Sequence, residues 1–453
     1  MYNMSSETYE RRKSKRRKSK VRTQEGPDRE QLTKEVKMKR DILTSLIDSI
    51  INNLASGKMN SEEFVNEVKE ALLPMVLNSI MEEERNIFLN NHPGEYGNGF
   101  YSRRLYSGQT PLDINVPRTR SSDFFPSAIP KYTRYLTKEY TNLVESLLIS
   151  SRSIERLKMS IKRLNLPVSP EEIDRIINTL VGEFKEFITR QLSPDWLVIA
   201  IDAKRLDVKD DKVVRKAVLL TATGINMEGK KEVISSMLFY GNENLTCWRE
   251  ILLDLKKRGV SRAFLFITDN FPGLIKLIKG LFPLSLHQIC LVHLIRNAKL
   301  HLSKEEYKRF KEEIETVERA KTFDEAYSIF QKIIGNIEKK HPYFAKELRG
   351  KAEHYVTFTL FPEELRARVK STNMCENLHN ELEKIRLNTG GYFQSEKILY
   401  AKWFIFIKGL HSKRWSKPDP RFKGAMRELH NLFFQNFESD ENQEGLYDLT
   451  QNS

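Results

Sequence analysis

WLVIAIDA (196–203) and AFLFITDN (263–270) decide how this chain is read: each is a short apolar run that ends in an aspartate, Asp202 and Asp269. Runs of this length and composition predict buried strands rather than helices. KAVLLTATGI (216–225) and KEVISSMLFY (231–240), separated by Asn226 to Gly229, predict two more strands joined as a hairpin. An amphipathic helix over about 246–258 ends at Gly259, and a further helix (273–281) and a strand around 284–289 complete a β-β-β-α-β-α-β series. The expected fold class is therefore α/β. Either aspartate alone reads as a turn or cap residue. If the first and fourth strands are neighbours, however, the two carboxylates converge, and so placed they repel unless a divalent cation lies between them. Hard oxygen donors with open positions suit Mg²⁺ or Mn²⁺, and the usual chemistry of such a pair is two-metal phosphoryl transfer. That chemistry calls for a third acid.

Downstream, residues 297–370 change texture. Capping boxes at Ser303/Glu306 and Thr322/Glu325 open helices with apolar residues at core spacing, which predicts an all-helical insertion. STNMCENLHNELEKIR (371–386) then reads as another helix. Glu376 is a candidate third acid there, but it also fits a capping role, and Glu381 and Glu383 compete with it. The segment from 416 to the end closes on FESDENQEGLYDLTQNS (437–453), acidic and expected to be disordered.

Upstream, residues 132–190 predict three helices, about 134–149, about 152–164 and one opened by Ser169, Pro170 and Glu172. The middle one carries Arg156, Lys158, Lys162 and Arg163 after a short turn, compatible with a DNA-binding helix-turn-helix and equally with an ordinary helical hairpin. Residues 92–131 break into Gly, Pro, Ser and aromatics with short alternation, predicting a small β-element. Arg103, Arg104, Arg118 and Arg120 lie there among Tyr101, Tyr106 and Phe124, a mix able to pair with phosphate and stack on bases. Residues 30–91 have helical spacing, and residues 1–25 form a basic tail expected to be disordered.

The 453 residues suffice for about three domains. The formal net charge is +14, half of it in the tail, where nine basic side chains face Glu7 and Glu10 through residue 24. Forty per cent hydrophobic residues exclude wholesale disorder, and the excess of positive charge points to a polyanionic partner. The longest apolar run, Trp196 to Ile201, is six residues, far short of the roughly 18–20 that cross a bilayer. With three scattered cysteines (Cys247, Cys290, Cys375) and no apolar leader, the expected location is a reducing cytoplasm.

The run from Trp196 to about Phe393 resembles the Mutator-type transposases of prokaryotic insertion sequences, a branch of the DDE transposases. The matching pieces are Asp202 in IDA, KAV (216–218) with GKKEV (229–233), CWREILLDLKKRGV (247–260), Asp269 before Pro272, HQICLVHLIRN (287–297) and STNMCENL (371–378). GFYSRRLYSGQTPLDINVPRTRSSDFFP (99–126) is also similar to the family's N-terminal region. The resemblance implies an RNase H-like mixed sheet, built from 195–296 and 371–415 and interrupted by the helical insertion, with mainly helical N-terminal DNA-binding modules. It further implies that Asp202, Asp269 and Glu376 are the catalytic, metal-binding triad, spaced 67 and 107 residues apart and holding two Mg²⁺ or Mn²⁺ ions. Cys290 and His293 match the family's C-x-x-H motif and, with Arg296 and Asn297, are expected near the site in a structural or DNA-contacting role. A zinc site is the other reading, but His287, Cys290 and His293 fall short of the four ligands a closed zinc site needs. Asn270 stands where the family usually has Gly, His379 where it usually has Asn, and the Arg-rich stretch after the third acid is thinned to Lys384 and Arg386.

The implied activity is metal-dependent cleavage and transfer of DNA strands at an element's terminal inverted repeats, into target DNA, by a nucleoid-associated homodimer or higher assembly. A transposase-derived DNA-binding protein without catalysis, and a nuclease that does not rejoin strands, are the alternatives.

Overall fold

The computed structural model describes residues 29–450 apart from 109, 132–133 and 137–138; the side chains of 29–40, 43, 139 and 439–450 are left aside. The basic tail at 1–25 lies outside the described residues. The chain divides into two compact units that meet in sequence at Thr137 and Lys138.

In the first unit, α1 (Arg29–Ala55) is followed by α2 (Ser61–Glu67), whose start is set by a reciprocal capping box between Asn60 and Glu63. A five-residue π-turn leads into α3 (Leu73–Asn91). Next comes an antiparallel hairpin of β1 (Gly97–Ser107) and β2 (Thr110–Thr119). Strict alternation along β2 buries Leu112, Ile114 and Val116, and Leu77 and Met81 of α3 pack on that face. The period-2 pattern at Leu112 to Val116 is thus the signal of a half-buried strand.

The second unit opens with α4 (Glu139–Ser150), α5 (Ile154–Arg163) and α6 (Pro170–Thr189), the last capped by Ser169 and Glu172. Five strands form its sheet: β3 (Asp195–Asp210), β4 (Val213–Asn226), β5 (Lys231–Tyr240), β6 (Arg262–Thr268) and β7 (Leu286–Ile289). Their order is β5-β4-β3-β6-β7, with β3, β4 and β5 antiparallel and β6 and β7 parallel to β3. The fold class is accordingly mixed α/β. Helices α7 (Leu245–Lys257) and α8 (Leu274–Leu281) cover one face, packing on Trp196, Ile199, Ile201 and Phe266. Gly224 of β4 is small of necessity, because a Cβ there would come within 2.4 Å of the Trp196 ring.

The other face, carrying Val198, Ala200, Leu265 and Ile267, is covered by α9 (Leu291–Ala298) and by helices α10 (Lys304–Glu318), α11 (Phe323–Glu338), α12 (Pro342–Arg349), α13 (Ala352–Val356) and α14 (Glu363–Val369). Also on it are α15 (Asn373–Asn388), through Cys375, and α17 (Pro420–Thr450), through Phe422, Leu429 and Phe433. Between these last two lies α16 (Glu396–Ser412), which packs along α6.

Two expectations from sequence are corrected. The first strand does not end at Asp202: β3 runs on to Asp210, paired residue by residue with β4 as far as Val213. The apolar pattern fades after Ala203 because this part is a two-stranded ribbon, and Leu206 and Val208 alone alternate inward. Phe393 adds to it, its amide donating to Asp207 O while Lys209 N donates to Phe393 O. The helical backbone of α17 also continues to Thr450, through a stretch whose acidity alone marked it as disordered. Its helix-forming Glu, Gln and Leu residues extend a helix already anchored by Phe433 and Phe437.

Lys402 of α16 is only 1 % exposed and donates to the carbonyls of Ser151 (2.6 Å) and Ile149 (3.3 Å) at the end of α4. Burial pushes its pKa down to about 8. The unfolded chain therefore binds a proton that the folded chain releases between that value and about 10.4. In that window the stability of the wild type relative to a Lys402→Met protein rises with pH, by at most about 1.4 kcal/mol per unit, and the difference is flat below it. Urea unfolding of both proteins at pH 7, 9 and 10 reads the effect, and parallel curves would exclude it.

Candidate active site

Sheet register explains how two aspartates from distant parts of the sequence come together. The last parallel pair between β3 and β6 is Ala200 with Ile267. Two residues further along stand Asp202, still within β3, and Asp269, one residue past the end of β6. Beyond this point β6 has ended while β3 continues with β4, so the space beside Asp202 is open to groups from other elements. Asp202 is 6 % exposed, and its Oδ2 lies 3.1 Å from His379 Nδ1 on α15. Asp269 is more exposed and its Oδ1 accepts from the Asn270 amide at 2.6 Å.

Glu376 is delivered by α15, which is locked onto the sheet one residue earlier, where the buried Cys375 thiol donates to Ala200 O at 3.2 Å. The Glu376 carboxylate is 14 % exposed and takes two bonds from Arg296, Nη1 to Oε1 at 3.0 Å and Nη2 to Oε2 at 3.1 Å. His293 lies between the acids, with Nε2 3.4 Å from Glu376 and Nδ1 3.8 Å from Asp269. Burial works against its charged form, but the contact with Cys290 and the fields of Asp269 and Asp202 raise its pKa to about 9. At neutral pH it is an imidazolium set among carboxylates. Cys290 is buried, and its sulfur accepts from the amide and hydroxyl of Thr372, both at 3.4 Å. Ligand atoms of Cys290, His293 and Glu376 all lie within 4.8 Å of one another.

The competing acids on α15 are engaged elsewhere. Lys384 pairs with Glu381 at 2.7 Å, and Arg386 and Lys204 (3.2 Å) both reach Glu383. The Arg386 hydrogen bonds, with Lys204, hold Glu383 near pKa 2. Lys384 and Arg386 are thus tied to neighbouring carboxylates, although Arg386 also joins Arg205, Lys216 and Asn242 around a cavity of about 180 Å³. Asn297 is half-buried at the end of α9, its carbonyl accepting from Leu300 N.

Three side chains near the acids went unmarked as functional in the sequence: His379 beside Asp202, Asn270, and Glu243. Asn270 bonds Glu347 (2.8 Å) and Lys351 (2.7 Å) of the helical segment through its two ends. Glu243 accepts from Trp248 Nε1 at 3.1 Å; burial raises its pKa, the Trp248 bond opposes this, and the field of Asp269 adds to it. In sequence Glu243 is merely the residue before the Asn244 cap of α7, and no pattern separates it from a loop acid.

The remaining predicted residues belong to α5 and to the first unit. On α5, Arg156, Lys162 and Arg163 are exposed, while Lys158 pairs with Asp174 at 3.7 Å. In the first unit, Arg104 forms a bidentate pair with Asp113 (2.7 and 2.8 Å), so its charge is already met. Arg103, Arg118 and Arg120 sit over Phe125, Tyr101 and Tyr96 at 5.6–6.0 Å from the ring centres.

A family model described as "Transposase, Mutator family" matches residues 44–401 of the chain, well upstream of where the quoted motifs begin. The transposase for insertion sequence element ISRM3 of Rhizobium meliloti is 23 % identical over 398 residues, 86 % of this chain and 98 % of that protein. The transposase for IS905 of Lactococcus lactis is 25 % identical over 400 residues, covering 86 % and 100 %. That for IS1201 of Lactobacillus helveticus is 24 % identical over 377 residues, covering 80 % and 99 %. Among the described residues, no helix is long and apolar enough to cross a membrane.

Proposed function

The chain belongs to the Mutator family of transposases, and from that membership we propose that it binds the terminal inverted repeats of an insertion sequence, cuts DNA there and transfers the freed ends to target DNA. The observation that supports this reading is the pairing of Ala200 with Ile267 two residues before Asp202 and Asp269, together with His293, which contacts both Asp269 and Glu376. The strand order β5-β4-β3-β6-β7, with β3 antiparallel to β4 and parallel to β6, supports an RNase H-like core. In that reading α10 to α14 form an insertion between the second and third acids.

Three carboxylates are a hard donor set that fits Mg²⁺ or Mn²⁺. His293, 3.8 Å from Asp269 and 3.4 Å from Glu376, supports the convergence of these acids. Asp202, Asp269 and Glu376 would hold two such ions, which when bound supply Lewis acidity and lower the pKa of the attacking hydroxyl. The chain's own residues do the rest. His379 fixes the orientation of Asp202, and Arg296 holds both oxygens of Glu376. The Arg296 side chain is 60 % exposed, so it also offers donors to a phosphate entering the site. A water, then a freed 3′-hydroxyl, attacks phosphorus in line with the leaving oxygen. No covalent enzyme intermediate is needed, so no nucleophilic Ser, Tyr or Cys is assigned, and the buried Cys375, its pKa driven up by burial, is a packing residue.

Exposed cations on α5 and on the β1–β2 hairpin would contact the DNA backbone, making binding salt-sensitive. Two element ends call for at least a homodimer on DNA.

A labelled duplex carrying the terminal repeat that flanks the coding sequence tests the proposal. Nicks at the repeat boundary and joined products from pre-cleaved ends, both dependent on Mg²⁺ or Mn²⁺, are expected. Tight binding without products would favour the non-catalytic DNA-binding protein, and cleavage without joining the nuclease.

A further inference from the structure

Leu300 and Tyr343 are the two most exposed apolar side chains among the described residues, at 81 % and 90 %. Scattered exposed apolar side chains are ordinary on a protein surface, whereas a group of them rimmed by polar residues marks an interaction site. They come from different elements whose adjacent residues meet: His301 and Phe344, their chain neighbours, stack with ring centres 4.6 Å apart and 13° between planes. Each is also four residues from a side chain that touches the candidate site. Arg296, four before Leu300, holds Glu376, and Glu347, four after Tyr343, bonds Asn270 beside Asp269. On α12 the buried face is Phe344, Ala345 and Leu348, so Tyr343 projects from the outward side together with Lys346 and Glu347. Tyr343 and Glu347, four positions apart on α12, lie on one face about one turn apart, and Leu300 stands in the turn just past the end of α9.

The exposed charges around this pair that lack a carboxylate partner are positive. Lys299 precedes Leu300 and Lys346 follows Tyr343, whereas Arg296 is paired with Glu376 and Glu347 is bonded to Asn270 and Lys351. An aromatic ring and an aliphatic wedge framed by cations match the chemistry of unpaired nucleotides, whose bases stack on rings and whose phosphates meet Lys and Arg. We propose that Leu300 and Tyr343 form a stacking platform for unpaired bases of the DNA strand next to the cleavage site. This rests on the transposase reading and adds to it that the DNA is locally opened at the cut. Tyr343 takes the base face, Leu300 supports the adjacent step, and opening the duplex frees a phosphodiester to reach Asp202 and Asp269.

The test uses the full-length protein with a mixed-sequence 30-nucleotide single strand carrying 2-aminopurine, and the same strand as a duplex. Tyr343→Ala is expected to weaken single-strand binding by about tenfold and to abolish the 2-aminopurine signal change, while Tyr343→Trp keeps both. Its salt dependence should match the wild type, whereas Lys346→Ala should reduce the salt slope by about one. Both positions are exposed, so unchanged thermal melting confirms folding. On the terminal-repeat duplex, a mismatch at the boundary should restore the cleavage lost in Tyr343→Ala. Unaltered single-strand binding in both Tyr343→Ala and Leu300→Ala would overturn the proposal. So would loss of self-association in sedimentation with DNA binding intact, since the pair would then meet a second copy of the chain. The wild type failing to cut any DNA would defeat the transposase reading while leaving the single-strand result to stand by itself.

Discussion

Asp202→Asn and Asp269→Asn proteins should bind terminal-repeat DNA as the wild type does and lose strand cleavage by at least a hundredfold. The size follows from the position of the two groups. Partners that merely orient a metal ligand cost about 10- to 100-fold when removed, and a ligand itself costs more. Asn keeps the shape and removes the charge, so the buried pocket of Asp202 is not emptied and the His379 contact keeps a partner. His379→Gln should fall inside the smaller range, because His379 reaches the chemistry only through Asp202. A second readout does not depend on turnover: adding Mg²⁺ should raise the melting temperature of the wild type and not of Asp269→Asn, since only a protein that binds the ion gains stability from it. Full cleavage by either Asn variant would remove the two aspartates from the mechanism.

Arg258→Met should cost about 3–5 kcal/mol of stability, the toll of breaking a buried charge pair from one side. Arg258 is 6 % exposed and bonds three separate elements: Arg190 O after α6 (2.8 Å), Ile234 O in β5 (2.8 Å) and Asp254 Oδ2 in α7 (3.0 Å). Met fills the volume of the stem but leaves Asp254 unpaired at 18 % exposure and two carbonyls without their donor. Urea unfolding measures the loss, and an Arg258→Met/Asp254→Leu double variant should recover part of it by removing the orphaned carboxylate. A cost below about 1 kcal/mol in the single variant would mean that water reaches the site and the pair is not buried in solution.

These two sites differ in how far the sequence reveals them. Asp202 and Asp269 announce themselves because each follows an apolar run, and an acid at that point is conspicuous. Arg258 reads as one more basic residue in KKRG at a helix end. Nothing local says that its guanidinium turns inward to knit three elements together. Glu376 shows the intermediate case. Its helix is legible, but three acids share it; Glu381 pairs with Lys384 and Glu383 with Arg386 and Lys204, whereas Glu376 meets His293, which also reaches Asp269. Asn270 and His379 stood out only as departures from the family pattern, and their contacts were not legible because the partners are 77 and 177 residues away.

What the sequence determined by itself was local. Apolar period and capping residues predicted the strands at 231–240 and 263–270 and the helices opened by Ser169 and Ser303, because hydrogen-bond satisfaction at a helix start and alternation in a strand involve neighbours only. The tertiary structure decided what depends on pairing between distant segments: that β3 runs on eight residues beyond Asp202 as a ribbon with β4, that its parallel partner stops where the aspartates stand, and that an imidazolium from α9 settles among the acids. Strand register and buried charge are energies of association between surfaces, and a chain acquires them only once its local elements have found each other.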